Sequence, residues 1–133
     1  MNRYYAEVSD RAGHRCEYCK APEVVFNFPF EVEHIIPPCA GGDDDLGNLA
    51  LSCRSCNVFK AAVVQVRDDA TGVDVNLFHP RTDEWAAHFQ LAKEGRIEPL
   101  TPIGRVTAQQ LRLNVPAQLV ARQHWHRLGV YPG

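Results

Sequence analysis

Four of the chain's five cysteines fall into two Cys-x-x-Cys pairs, Cys16/Cys19 and Cys53/Cys56, and no other feature restricts the fold as strongly. A two-residue spacer lets both sulfurs of a pair reach one tetrahedral ion at about 2.3 Å. Two pairs complete a closed four-thiolate site with no position left for water, so the implied Zn2+ is structural. Its binding is coupled to folding and contributes on the order of 10–16 kcal/mol. Buried or redox-active thiols are the competing reading. Clustered pairs in a reducing compartment favour metal over that alternative. Thirty-three residues separate the pairs, so the ion would tie a turn at 16–19 to the start of a helix at 54–62. Cys39 has no partner in this scheme and reads as a partly buried bystander thiol.

A length of 133 residues fits one domain, 1–133. No apolar run approaches the roughly 18–20 residues that span a bilayer. The N-terminal MNRYYAEVSDRAG lacks the apolar core of a signal peptide, so the expected compartment is the cytoplasm. The formal charge is −2, with six Lys/Arg against nine Asp/Glu in residues 1–62 and eight against seven in 63–133. No basic stripe dominates, which implies modest, salt-dependent affinity for any nucleic acid. Residues 4–12 read as a short helix stopped by Gly13, and Phe26–Ile36 as a strand ended by Pro37 and Pro38. Gly41–Asp45 is a loop, and Leu49–Leu51 a second strand. Ser52 is placed to cap the 54–62 helix. Beyond it, Val64–Arg67 with Val73–Leu77, and Phe89–Ala92 with Arg96–Glu98, read as hairpins. Thr82 would cap a short helix through Trp85 and Ala87. Thr101-Pro102 opens a helix to about Leu113, and Pro116 opens another ended by Gly129. The expected architecture is α+β: a small zinc-stabilised core at 14–62 with an N-terminal helix, and a hairpin and helical extension, 63–133, packed on it.

The core carries a candidate site. His34 alone on an apolar face would read as a core histidine; beside Glu33 and the downstream asparagines it reads as a general base, since a neutral imidazole accepts protons near pH 7. Glu33 offers hard oxygen to Mg2+ or Mn2+, with a solvated strand carboxylate as its plain alternative. Asn57 adds a carbonyl oxygen in the first turn of its helix, where free N–H groups favour a phosphate. Arg54 and Lys60 lie three residues either side of it and are candidate phosphate ligands; ordinary solvated cations are the alternative. Asn48 reads as architectural, pinning the 37–48 loop through its amide. Glu33 and His34 alternate across a regular strand, so sharing one site requires a bend, which Pro37 and Pro38 make available, or a glutamate side chain reaching around the strand edge. Asp43-Asp44-Asp45 reads as a solvated acidic loop. Arg105 with Arg112, and Arg122 with His126, share helical faces that could touch DNA backbone, with a solvated face as the alternative.

In order and spacing, "EHIIP", "GG", "NLALSCRSCN" and Lys60, framed by the cysteine pairs, resemble the HNH endonucleases, a branch of the ββα-metal nucleases. The resemblance covers residues 14–61. Glu33 stands where aspartate is more frequent, and Asn57 where many members have histidine. The resemblance implies a DNA endonuclease acting on double-stranded DNA and leaving a 5′-phosphate and a 3′-hydroxyl. His34 would be the catalytic base, with Asn48 fixing the backbone near it. Glu33 and Asn57 would hold a catalytic Mg2+ or Mn2+, apart from the structural zinc. A homodimer or a targeting partner would suit the low basic charge. The competing expectation is a zinc-stabilised nucleic-acid or protein binding module without catalysis.

Overall fold

The structure, a computed structural model describing residues 2–132, is α+β. Its central hairpin pairs β1 (Glu31–His34) with β2 (Leu49–Ser52), in a register running from Glu31 opposite Ser52 to His34 opposite Leu49. The sequence suggests a longer strand, 26–36, but only four residues pair, because the N–H groups on either side are already engaged. Pro29 has none, and that of Phe30 donates to the Glu23 carboxylate at 2.7 Å. Past His34, Ile35 N donates to Asn48 O and Ile36 N to Asn48 Oδ1, so the ladder passes to one loop residue. Every residue of β2 is buried. The helix α1 (Tyr5–Arg11) packs on both strands and buries Val8 completely. Arg11 donates to Leu46 O and Leu49 O at 2.9 and 2.6 Å, fastening that helix to the entry of β2.

The helix α2 (Arg54–Lys60) lies against β1. Cys53, not Ser52, sits at its N-cap, because the Ser52 hydroxyl donates to Cys53 O at 3.0 Å. It ends two residues earlier than the sequence suggests, where Ala61 takes φ +49. Beyond it, β3 (Gln65–Asp68) and β4 (Val73–Asn76) form the first expected hairpin. Asp68 accepts from Thr71 and from Arg105, which closes the hairpin onto a later helix. The short helix α3 (Trp85–His88) starts at Glu84 without a side-chain cap. Thr82 stands inside the preceding turn, which Asp83 closes by accepting from His79 N at 2.9 Å. The second expected hairpin is β5 (Phe89–Leu91) with β6 (Ile97–Pro99). Thr101 caps α4 (Pro102–Gln110), accepting from Gly104 N at 3.1 Å. That helix stops short of residue 113, and α5 (Pro116–Arg127) follows.

Tyr18, Leu49 and Leu51 of the first half join Phe78, Phe89, Ile97 and Val106 of the second in one apolar cluster. Trp85 Nε1 donates to Tyr18 O at 2.8 Å, and Gln110 Nε2 to Phe59 O at 2.8 Å. No helix among the described residues is long and apolar enough to cross a membrane.

Leu51, in the centre of β2, has no exposed surface. Leu51→Ala is expected to cost about 2–5 kcal/mol in urea unfolding with zinc held saturating. Val73→Ala at an exposed hairpin end, 56% accessible, should cost well under half of that.

Candidate metal centre and active site

The turn before the hairpin and the start of α2 bring the four sulfurs together. Cys16, Cys19, Cys53 and Cys56 are all buried, with Sγ atoms within 4.8 Å of one another. A tetrahedral ion bound at 2.3 Å would hold its sulfurs about 3.8 Å apart. The Cys19 and Cys53 sulfurs stand at 3.7 Å, so the donor set fits zinc. The thiols perturb one another, Cys16 foremost: Cys53 is held far below the ordinary thiol range, and Cys19 and Cys56 are pushed well above it. A divalent cation allows all four to be thiolates together. Glu17 supports the first pair, since Leu51 donates its N–H to the carboxylate and accepts from Glu17 N, both at 2.9 Å. Arg81 pairs with the other Glu17 oxygen. Cys39 lies apart and exposed rather than partly buried.

Alternation along β1 divides the other candidates between two faces. Glu31 and Glu33 point toward α2. The Glu31 carboxylate accepts from Asn57 Nδ2 and, at 2.9 Å, from Arg54 Nη1. Glu33 is buried: one oxygen accepts from the Tyr18 hydroxyl and the other pairs with Lys60 Nζ at 3.1 Å. Burial pushes the Glu33 carboxyl up, against the pull of Lys60 and Tyr18. Lys60 is 1% exposed and also donates to Ile35 O at 2.9 Å and His34 O at 3.3 Å. The two motif residues assigned to metal and phosphate are thus engaged with each other. Lys60 is a structural cation rather than a free phosphate ligand, because its three donors are satisfied inside the protein. Arg54 keeps its side chain 70% exposed while paired with Glu31. The carboxylate in contact with Asn57 is Glu31, which the motif does not single out.

His34, the last residue of β1, turns the other way. The four-pair register is regular through it, so the bend that would place Glu33 and His34 in one pocket is absent. Its Nε2 lies 2.6 Å from Asp44 Oδ1. A carboxylate only accepts, so Nε2 carries a proton and Nδ1 is the nitrogen left to take one. The ring is a third exposed and opens onto a cleft of about 280 Å³ that also involves Asn2, Arg3, Tyr4 and Leu49. Asp44, in the acidic loop, had no motif to mark it. Arg3 reaches the cleft only because α1 packs on the hairpin, a tertiary contact without local signal. Asn48 ties the loop to the strand end: its amide donates to Ile36 O and Asp43 O at 2.9 and 2.8 Å and accepts from Ile36 N. Gly42 lies so close to this knot that a Cβ there would meet Ile36 O at 1.7 Å.

Residues 16–62 match the sequence model of a family described as HNH endonuclease. No curated protein and no solved structure matches the chain. The match suggests a nuclease or a nucleic-acid-binding module for that segment.

Chelating the zinc, or Cys53→Ser, is expected to abolish the cooperative thermal transition, with bound zinc counted in parallel. Glu33→Gln and Lys60→Met should each cost about 3–5 kcal/mol in urea unfolding, because each leaves its partner buried and unpaired. The double variant should recover most of that loss; additive losses would show that the two residues act independently.

Proposed function

We propose that this HNH segment serves a metal-dependent endonuclease that hydrolyses DNA phosphodiester bonds, with His34 as the general base. The single observation that supports the reading most is the His34–Asp44 pair at an open strand end. With Nε2 committed to Asp44, Nδ1 faces the task of taking a proton from the attacking water. Asp44 holds the ring in one orientation, a carboxylate–imidazole arrangement used by many hydrolytic sites. Asn48 keeps the loop bearing Asp44 at a fixed distance from the strand bearing His34. Arg3, in the same cleft, and Arg54, at the start of α2, are the cations available to phosphate oxygens.

Asn57 and the β1 carboxylates would hold the catalytic ion: Glu31 already touches Asn57, and Glu33 joins by exchanging Lys60 for the ion. One or two carboxylates, with the remaining positions filled by water and substrate, suit Mg2+ or Mn2+. When bound, such an ion supplies positive charge to the non-bridging and leaving oxygens of the phosphate. Weak ion binding without DNA follows from so small a donor set.

A second reading, a nucleic-acid-binding module without catalysis, is favoured by one observation. Glu33 is sealed against Lys60, and His34 lies on the other face of the strand from Asn57. Supercoiled plasmid incubated with pure protein and Mn2+, or with EDTA, separates the two. Under the endonuclease reading the wild type nicks or linearises plasmid only with metal. His34→Ala keeps zinc and fold but loses at least about a hundredfold in rate. Asp44→Asn loses less, because the imidazole remains. A wild type that binds DNA yet never cuts it would transfer the assignment to the binding module.

A further inference from the structure

A zinc ion with four thiolates carries a net charge of −2, and here it would be enclosed by buried residues. A buried charge is costly unless an opposite charge lies close. The family match ends at residue 62, but the residues around the sulfurs do not. Gln118 Nε2 donates to Ser55 Oγ at 3.3 Å, and that hydroxyl lies 3.4 Å from Cys53 Sγ. At the other end of α5, the Tyr131 hydroxyl donates to Cys19 O at 3.0 Å, and Arg15 Nη2 to Val130 O at 2.8 Å. The helix and the tail after it therefore bridge the two cysteine pairs.

Arg122 stands one helical turn beyond Gln118, on the same face. Helical spacing puts it on a face open to DNA backbone or to solvent, but it is 0% exposed. Its guanidinium donates to Gly95 O, Leu113 O and Asn114 Oδ1, all neutral acceptors. Nη1 is buried without a partner, and no carboxylate pairs with the group among the described residues. A permanent positive charge is thus buried with no carboxylate paired to it among the described residues. Burial lowers its proton affinity, and the Tyr131 hydroxyl and the sulfurs of Cys19, Cys56 and Cys53 raise it. Lys20, next to Cys19, is a second, partly buried cation near the sulfurs, with Nζ 5.4 Å from the centre of the Trp85 ring.

We propose that Arg122 is the counter-charge of the zinc tetrathiolate, carried to the metal centre by the C-terminal helix. The extension then belongs to the metal site: it closes the sulfur cage and offsets its negative charge. This holds whether or not the protein cuts DNA.

The test uses the full chain and reads the free zinc concentration at half-folding by far-UV circular dichroism in a zinc buffer. That quantity is defined even for variants that fold poorly. Arg122→Gln keeps amide donors and removes the charge; Arg122→Lys keeps the charge and loses the planar donor fork; Arg122→Met removes both. Gln and Met should need roughly 10–100-fold more zinc, the usual cost of removing an outer partner of a metal ligand. Lys should stay within about threefold of wild type. Release of zinc to a chromogenic chelator should rank the variants in the same order. A Gln variant that holds zinc as well as Lys or better, or a Lys variant that fails to fold at any zinc level, would overturn the proposal.

Discussion

The four-sulfur cage is the constraint on which the other elements depend. A two-stranded hairpin is marginal in water by itself, and this one has only four residue pairs. The cage joins the turn at 16–19 to the first turn of α2, so the hairpin is held between two helices instead of standing alone. α1 covers the face carrying Val32 and His34, and α2 the face carrying Glu31 and Glu33. Backbone contacts around the cage extend the clamp. Leu51 is bracketed by Glu17, Tyr18 O receives Trp85, and Cys19 O receives Tyr131. A metal centre placed this way organises the second half of the chain as well as the first.

Much of this was legible in the sequence where a residue's role depends on near neighbours. Cysteine spacing indicated the cage, Thr101-Pro102 the start of α4, and the turn at 69–72 the β3–β4 hairpin. The strand over 26–36 was read too long because apolar alternation continues through Phe26–Phe30, while pairing requires free N–H groups that Pro29 and the Glu23 contact remove. Thr82 and Ser52 have the right chemistry for caps, but each hydroxyl is one or two residues from the position a cap requires.

Reading the candidate site met a different limit. His34, Asn48 and Asn57 are where the motif puts them along the chain, but partners across space are invisible in a linear pattern. Glu33 and Lys60 both read as available to a ligand until their burial shows them paired. Asp44 reads as one of three solvated acids, and its contact with His34 depends on the loop that Asn48 ties down. Arg122 reads as a surface residue because helical periodicity cannot say which face the rest of the chain covers; Gly95, Leu113 and Asn114 supply that cover.

The Lys60 ammonium reaches three groups at the end of β1 and just past it: the Glu33 carboxylate and the carbonyls of His34 and Ile35. It works as a rivet between α2 and the end of β1, with its head divided between a side chain and the main chain. A side chain of the α2 face is thereby fastened to the backbone from which the imidazole hangs, although no side chain passes from one face to the other.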